Sequence, residues 1–315
     1  MSERLIKLIA NYLKYLLFIL PKLKKSIIIY NSFGLGLLDI IFLLPICLSN
    51  DSLVLVHDVD IVDKSGNIKI KLISNLFYKY FIKNVLVHSK LVWNKLRDLD
   101  YKGLIYYIPH RYRMKKFIEI NKVTPEILNS VVREKINILF FGSIKESKGL
   151  DVLLNSINNI SNDCLTKINF IIAGRDKKNI FGSIKIENST SIKRINRFIS
   201  ENELKYLFKY SDYIILPYKE IYQSGIAELS FCLRLPIIAS NIDFFKQTIS
   251  KYPSFGFLFK NGEAYDLART IEKISSSRKQ KSEYFTPEDL YQYYNTKQER
   301  RFIYYIKQNL SRIKL

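Results

Sequence analysis

Cysteine is scarce in this sequence, with only Cys47, Cys164 and Cys232 in 315 residues. The three lie far apart in apolar surroundings and lack metal-ligand spacing, which argues against a disulfide scaffold or a zinc site and for reduced core thiols. That usage places the expected compartment in the cytoplasm. Long uncharged apolar runs are missing too. The apolar stretch that begins at Arg4 is broken by Lys7, Asn11 and Lys14 and stopped by Pro21, whereas a bilayer-spanning helix needs about 20 largely uncharged residues. No small-residue cleavage site follows it, so a signal peptide is not expected either. Acidic residues are in short supply, 29 against 50 Lys and Arg, and leave a net charge of +21. A charge of that size calls for nucleic acid, anionic lipid or a phosphorylated ligand. Zinc-finger spacing, basic-region heptads and Gly-aromatic RNA-binding strands are all absent, which sets nucleic acid aside. Internal repeats and low-complexity segments are absent as well.

What is present is the composition of a globular protein, 48% apolar and 25% charged. The length exceeds the usual reach of one hydrophobic core and predicts two domains. The first 25 residues form a basic amphipathic helix with two open readings: it lies on an anionic membrane with Lys22, Lys24 and Lys25 at the headgroups, or it packs on the first domain. From Ser26 onward short β-branched runs alternate with longer helical patterns, the signature of parallel α/β units. Strands are expected at Ile27–Tyr30, Leu53–His57, Val85–His88 and Leu104–Ile108, with helices near 36–48, 68–82 and 89–98. Residues 110–135 interrupt this rhythm. It resumes with strands at Ile136–Phe141, Ile168–Ala173, Ile192–Ile195, Tyr213–Leu216, Pro236–Ala239 and Gly256–Phe259. The expected division is 1–135, 136–285 and a helical tail at 286–315 that returns to the first domain.

Where open α/β sheets bind ligands, they do so at the carboxyl ends of their strands. Two such ends stand out. After Phe140-Phe141 come Gly142, Ser143 and then Lys148-Gly149 at a helix start, a geometry that suits an anion because backbone approaches closely and a cation follows. After the strand at 213–216 come Glu220, Ser224, Gly225 and Glu228, again at a helix start. Taken singly, each has an ordinary explanation as a βα turn with solvated charges.

Taken in order, the segments FFGSIKESKGLDVLL, FIIAGRD, ENELKYLF, YSDYIILPYKEIYQSGIAELSF, LPIIAS and GFLFKNGEAYDLARTI resemble the retaining glycosyltransferases of family 4. The resemblance covers roughly residues 136–275. It implies the GT-B fold, α/β with two facing Rossmann-like doubly wound domains, here with a small or trimmed N-terminal one. It further implies that Gly142, Ser143 and Lys148 hold the diphosphate of a sugar-nucleotide donor, and that Glu220 and Glu228 contact the donor sugar and ribose. Lys148 thereby also becomes a catalytic candidate. Counting back from Pro236 instead shifts both glutamates by one position, and Ser224-Gly225 then carry more of the binding through their backbone. The family often has arginine after the loop glycine; this chain has Ser143, with Arg175 as a candidate substitute.

The first half resembles the family more loosely. His57-Asp58 follows a strand as the family's His-Asp does, which makes both residues acceptor-side catalytic candidates, with a capping role for His57 the alternative. All three histidines, His57, His88 and His110, fall at strand ends. The Asp-x-Asp that follows a strand, Asp58-Val-Asp60, reads as a loop rather than a metal site, so neither metal nor cofactor is expected beyond the sugar nucleotide as substrate. The expected acceptor is a glycan or lipid-linked sugar, and the expected place of work is cytoplasmic, at the inner face of an anionic membrane. The rival readings are a non-catalytic subunit that partners another transferase, and a sugar-nucleotide epimerase.

Overall fold

The computed structural model describes residues 3–23, 28–32, 37–49, 52–57, 68–109, 122–186, 189–221, 224–277, 283–294 and 297–313. The chain divides into two compact units, Met1–Pro109 with Tyr293–Leu315, and His110–Gln292.

The first unit opens with α1 (Glu3–Lys14), continued by a widened π turn at Tyr15–Ile19 and a 3-10 turn at Leu20–Leu23. It continues through β1 (Ile28–Ser32), α2 (Leu37–Ser49), β2 (Ser52–Val56), α3 (Ile68–Tyr80), β3 (Asn84–Val87), α4 (Lys90–Asp98) and β4 (Leu104–Tyr107). These four strands pair in parallel in the order β1-β2-β3-β4. Each crossover steps to the next neighbour in the same direction. Right-handed crossovers of that kind place α2, α3 and α4 on one face of the sheet. The opposite face is taken by the C-terminal helix α13 (Lys297–Ile313), because Leu53, Leu86 and Tyr106 present a buried apolar row to it. Tyr106 meets Phe302 and Tyr305 at ring separations of 5.5 and 5.4 Å.

The second unit runs α5 (Pro125–Leu128), β5 (Ile136–Phe141), α6 (Leu150–Ile157), α7 (Asn162–Lys167), β6 (Ile168–Ala173), β7 (Ile192–Ile195), α8 (Glu201–Tyr210) and β8 (Tyr213–Leu216). It closes with α9 (Gly225–Cys232), β9 (Ile237–Ser240), α10 (Asp243–Lys251), β10 (Gly256–Phe259), α11 (Ala264–Ser277) and α12 (Pro287–Tyr294). Its inner strands β5, β6, β8 and β9 are buried almost throughout, as near-continuous apolar runs require of a parallel sheet covered on both faces, whereas the edge strand β7 exposes Lys193 and Arg194. The order is β10-β9-β8-β5-β6-β7. The chain builds outward from β5 to β7, then returns to the other side of β5 at β8. Winding therefore reverses between β5 and β8, the switch point at which such sheets bind ligands.

The boundary between the units lies ahead of the position read from the sequence. Residues 122–135 belong with the second unit, and polar side chains show why. Thr124 donates to Glu203 at 2.7 Å, Arg197 pairs with Glu126 at 2.9 Å, and the Asn137 amide donates to the Val132 carbonyl at 2.9 Å. A rhythm of strands does not register such bonds. Cys47 and Cys164 are buried, Cys232 is half-buried, and none of the three is in a disulfide.

Candidate functional site

At the switch point, the loops that leave β5, β6 and β8 are stitched together by their backbones. Gly142 N donates to Ala173 O at 3.0 Å, Ile144 N to Arg175 O at 3.1 Å, and Lys219 N to Ser147 O at 2.9 Å. Two glycines permit this closeness. Gly174 has φ 146°, and a Cβ there would lie 1.9 Å from the Gly142 carbonyl oxygen. Gly149 has φ 68°, and its Cβ would lie 1.7 Å from the Pro217 carbonyl oxygen. Neither position tolerates a side chain. Above Gly142 the space is open.

That open space is a cavity of about 570 Å³ formed wholly by residues of the second unit. Gly142, Ser143 and Lys148, three of the residues singled out in the sequence, line it together. Lys145, Arg175, Lys177 and Arg197 line it as well. Its apolar wall comes from Phe141, Phe198, Ile199, Tyr218 and Ile226. Five cations and no carboxylate border the cavity among the described residues. Among the described residues, Arg197 alone of the five has a carboxylate partner, Glu126 at 2.9 Å and Glu203 at 2.7 Å. Excess positive charge without internal partners is the electrostatic signature of an anion site.

Lys148 occupies a short 3-10 turn, Glu146–Lys148, that intervenes between β5 and α6. This refines the expectation of a helix start at that point. Leu150, the first residue of α6, is buried and does not line the cavity, so it is the lysine rather than the helix end that faces the cavity. Its Nζ stands 3.7 Å from the centre of the Tyr218 ring. The aromatic face attracts the ammonium while excluding water from it. Burial, aided by the nearby Lys145 charge, lowers the Lys148 pKa to about 8. Tyr218 is itself buried, and burial raises its phenol well above the ordinary value. Its hydroxyl leans toward Ser224 without a full hydrogen bond.

The residues after β8 are distributed differently from the sequence reading. Ser224 is buried and caps α9, its hydroxyl accepting from Ala227 N at 3.2 Å. Gly225 follows at the exposed first position, and Ile226 beside it reaches the cavity. Glu228 is buried on α9 and Glu220 is exposed; neither lines the cavity. The separation of seven residues places these two glutamates in different environments.

In the first unit, His57 follows β2 and His88 follows β3, with ring centroids 6.1 Å apart. His57 Nε2 bonds the Asn31 side-chain oxygen at 2.6 Å. His88 Nδ1 bonds the Ile108 carbonyl at 2.6 Å, and burial depresses its pKa. Asp58, Asp60 and His110 lie outside the described residues. Among the described residues, no cluster of three or more His, Cys, Asp and Glu side chains has the arrangement to hold a metal ion.

Sequence reasoning missed Tyr218 and the wall Arg197–Ile199. Tyr218 was within reach of the carboxyl-end rule, since it follows β8 by two residues. Arg197 was not, because its place depends on Glu203 of α8 and Glu126 of α5.

The profile of the family Glycosyl transferases group 1 matches residues 126–288, more than half of the chain and the whole of this cavity. The chain belongs to the group 1 glycosyl transferases. Among curated proteins, it is 27% identical over 179 residues to an uncharacterized 41.2 kDa protein in the cps region of Klebsiella pneumoniae. That match takes in 57% of this group 1 chain but only 45% of its relative's length. Among solved structures, HepE of Anabaena in complex with UDP is similar with a TM-score of 0.69 at 13% identity, over 92% of this chain and 81% of that one. Sucrose-phosphate synthase of Thermosynechococcus elongatus follows with a TM-score of 0.67 at 16% identity, over 90% and 74%. At these identities the likeness establishes the fold, two parallel α/β sheets of the GT-B type.

Proposed function

We propose that this protein transfers a hexose-type sugar from a nucleotide-diphosphate donor to a glycan or lipid-linked acceptor, with retention of configuration and without a metal. The observation that carries the reading is the cavity at the β5/β8 switch point, where unneutralised cations gather around Gly142 and Lys148. As the glycosidic bond to the donor breaks, negative charge grows on the departing diphosphate. Fixed cations in a site that excludes water stabilise that charge most where it is largest, in the transition state. Lys148 fills this role, and Arg175 supplies the second cation that Ser143 does not. The Phe198–Ile199 wall offers an apolar surface to the nucleoside, and HepE, of like fold, has been crystallised with both UDP and UDP-glucose. Glu220 and Glu228 enter as donor contacts only through the family resemblance.

On the acceptor side, His57 at the carboxyl end of β2, with Asp58 after it, is the group we assign to the incoming hydroxyl. The basic charge and the cps-region relative support an acceptor of cell-surface polysaccharide assembly, met at the inner face of a membrane. The reading is tested by titrating purified protein with UDP-, GDP- and ADP-sugars and following binding and sugar release. Binding of one donor class, lost in Lys148→Ala, supports it; no binding of any sugar nucleotide overturns it. A second reading, a non-catalytic subunit with the same fold, draws on Ser143 and on the small first sheet. It predicts donor binding without transfer or hydrolysis.

A further inference from the structure

The first unit carries far more exposed apolar surface than a solvated helical layer needs. On α1 and the π turn after it, Ile9, Leu13 and Leu17 follow one another at four-residue steps, and Leu17 is 66% exposed. Phe18 and Ile19 beside it are exposed too. On α2 the exposed residues include Leu37, Ile41 and Leu48, the last at 69%. On α3 they are Leu72, Ile73, Leu76 and Tyr80, an unbroken stripe at helical spacing. Such stripes ordinarily turn into a core.

These three stripes belong to one layer. Helices α2 and α3 pack against each other. The hydroxyl of Tyr12 donates to the Ile41 carbonyl at 3.3 Å and that of Tyr15 to the Phe42 carbonyl at 2.8 Å, which fixes α1 onto α2. The N-terminal helix thus packs on its unit through its tyrosines and still leaves its leucines outward. Scattered apolar residues on a surface need no explanation, but three adjoining stripes mark an interaction site.

Charge identifies the occupant. The segments 3–23, 37–49 and 68–80 hold seven basic residues (Arg4, Lys7, Lys14, Lys22, Lys69, Lys71 and Lys79) and two acidic ones (Glu3 and Asp39). Asp39 is already engaged by the Tyr30 hydroxyl. A second copy of the chain would bring like charges together, which opposes association. An anionic lipid surface meets both requirements, since leucines enter the acyl boundary while lysines reach back to the headgroups. No helix among the described residues is long and apolar enough to cross a membrane, which fits a layer lying on one.

We infer that α1, α2 and α3 together form a docking face for an anionic bilayer, with α3 a partner equal to the N-terminal helix. This deepens the membrane location offered under the proposed function and is independent of donor binding. The test is co-sedimentation of the full chain with vesicles of phosphatidylcholine alone, or of phosphatidylcholine mixed with phosphatidylglycerol. Binding is expected to the mixed vesicles, to weaken with salt, and to fall about tenfold or more both in Leu72→Glu/Leu76→Glu and in Leu13→Glu/Leu17→Glu, since each change withdraws apolar area from the lipid. Circular dichroism and UDP binding, read in parallel, show that the variants remain folded and that the donor reading stands or falls separately. Three results overturn the inference. They are no binding of wild type to mixed vesicles, loss confined to the α1 variant, or wild-type self-association abolished by the α3 substitutions without any vesicle binding.

Discussion

At the scale of single residues, the site turns on how one lysine is housed. Lys148 was legible from its place in a Gly-turn motif, but its environment was not, because the ring beneath it comes from the loop after β8, about seventy residues on. That ring and the burial it brings hold the Lys148 pKa at about 8. A bound diphosphate favours the charged ammonium and raises the pKa in the complex. Affinity for a UDP-sugar, whose diphosphate has no proton to lose near neutrality, is therefore expected to be constant just below pH 8 and to decline as pH rises above it, a dependence that calorimetry across the range will show and that Lys148→Arg will remove. Lys148→Ala is expected to weaken diphosphate binding by about 10- to 100-fold, the worth of a charge-assisted hydrogen bond. Arg175→Ala is expected to cost about tenfold for UDP and nothing for uridine, since a phosphate contact is absent from the nucleoside. Equal losses for both ligands would show that Arg175 only supports the loop.

At the scale of elements, strands were the most legible feature. Ile168–Ala173 and Tyr213–Leu216 fall where apolar runs place them, because a strand buried on both faces has to be apolar along its whole length. The 3-10 turn at 146–148 was hidden, since three polar residues before a glycine suit a loop or a helix start equally. Gly149 is what makes the turn possible. Gly149→Ala meets the Pro217 carbonyl and a left-handed backbone, the latter alone costing about 1–2 kcal/mol. Chemical denaturation should register that loss, and UDP binding should fall with it as Lys148 is displaced. The bond network around α8 was equally hidden. Arg197 holds the Glu203 carboxyl down to about 2, well below its ordinary 4.5. A depressed carboxylate contributes stability above its unfolded pKa and loses it as pH falls through the folded one, so the contribution disappears between about 4.5 and 2. Glu203→Gln is expected to cost about 2 kcal/mol at neutral pH and to flatten the acid limb of the stability profile.

At the scale of the whole molecule, the parallel α/β class followed from alternating runs and the count of strands from their spacing. The order of strands within each sheet did not, because periodicity says where a strand is and nothing about its neighbours. The boundary was displaced for a related reason, since it depends on which side chains residues 122–135 bond. The tail was expected to return to the first domain, and in the structure α13 closes the open face of the first sheet through Phe302 and Tyr305. Phe302→Ala/Tyr305→Ala is expected to destabilise that unit by about 2–3 kcal/mol together, from apolar area returned to water. Denaturation followed separately by vesicle binding and by UDP binding will assign the loss to the first unit.

The position of α13 also orders events during synthesis. The second unit is one continuous segment, His110–Gln292, and has all its strands once that segment has left the ribosome. The first unit, although its sheet emerges earlier, waits with Leu53, Leu86 and Tyr106 uncovered until the chain beyond residue 292 is made. Nascent domains ordinarily mature from the N-terminus onward. Here the order is inverted, and the nascent chain's exposure to chaperones and to aggregation is greatest in the half that is translated first.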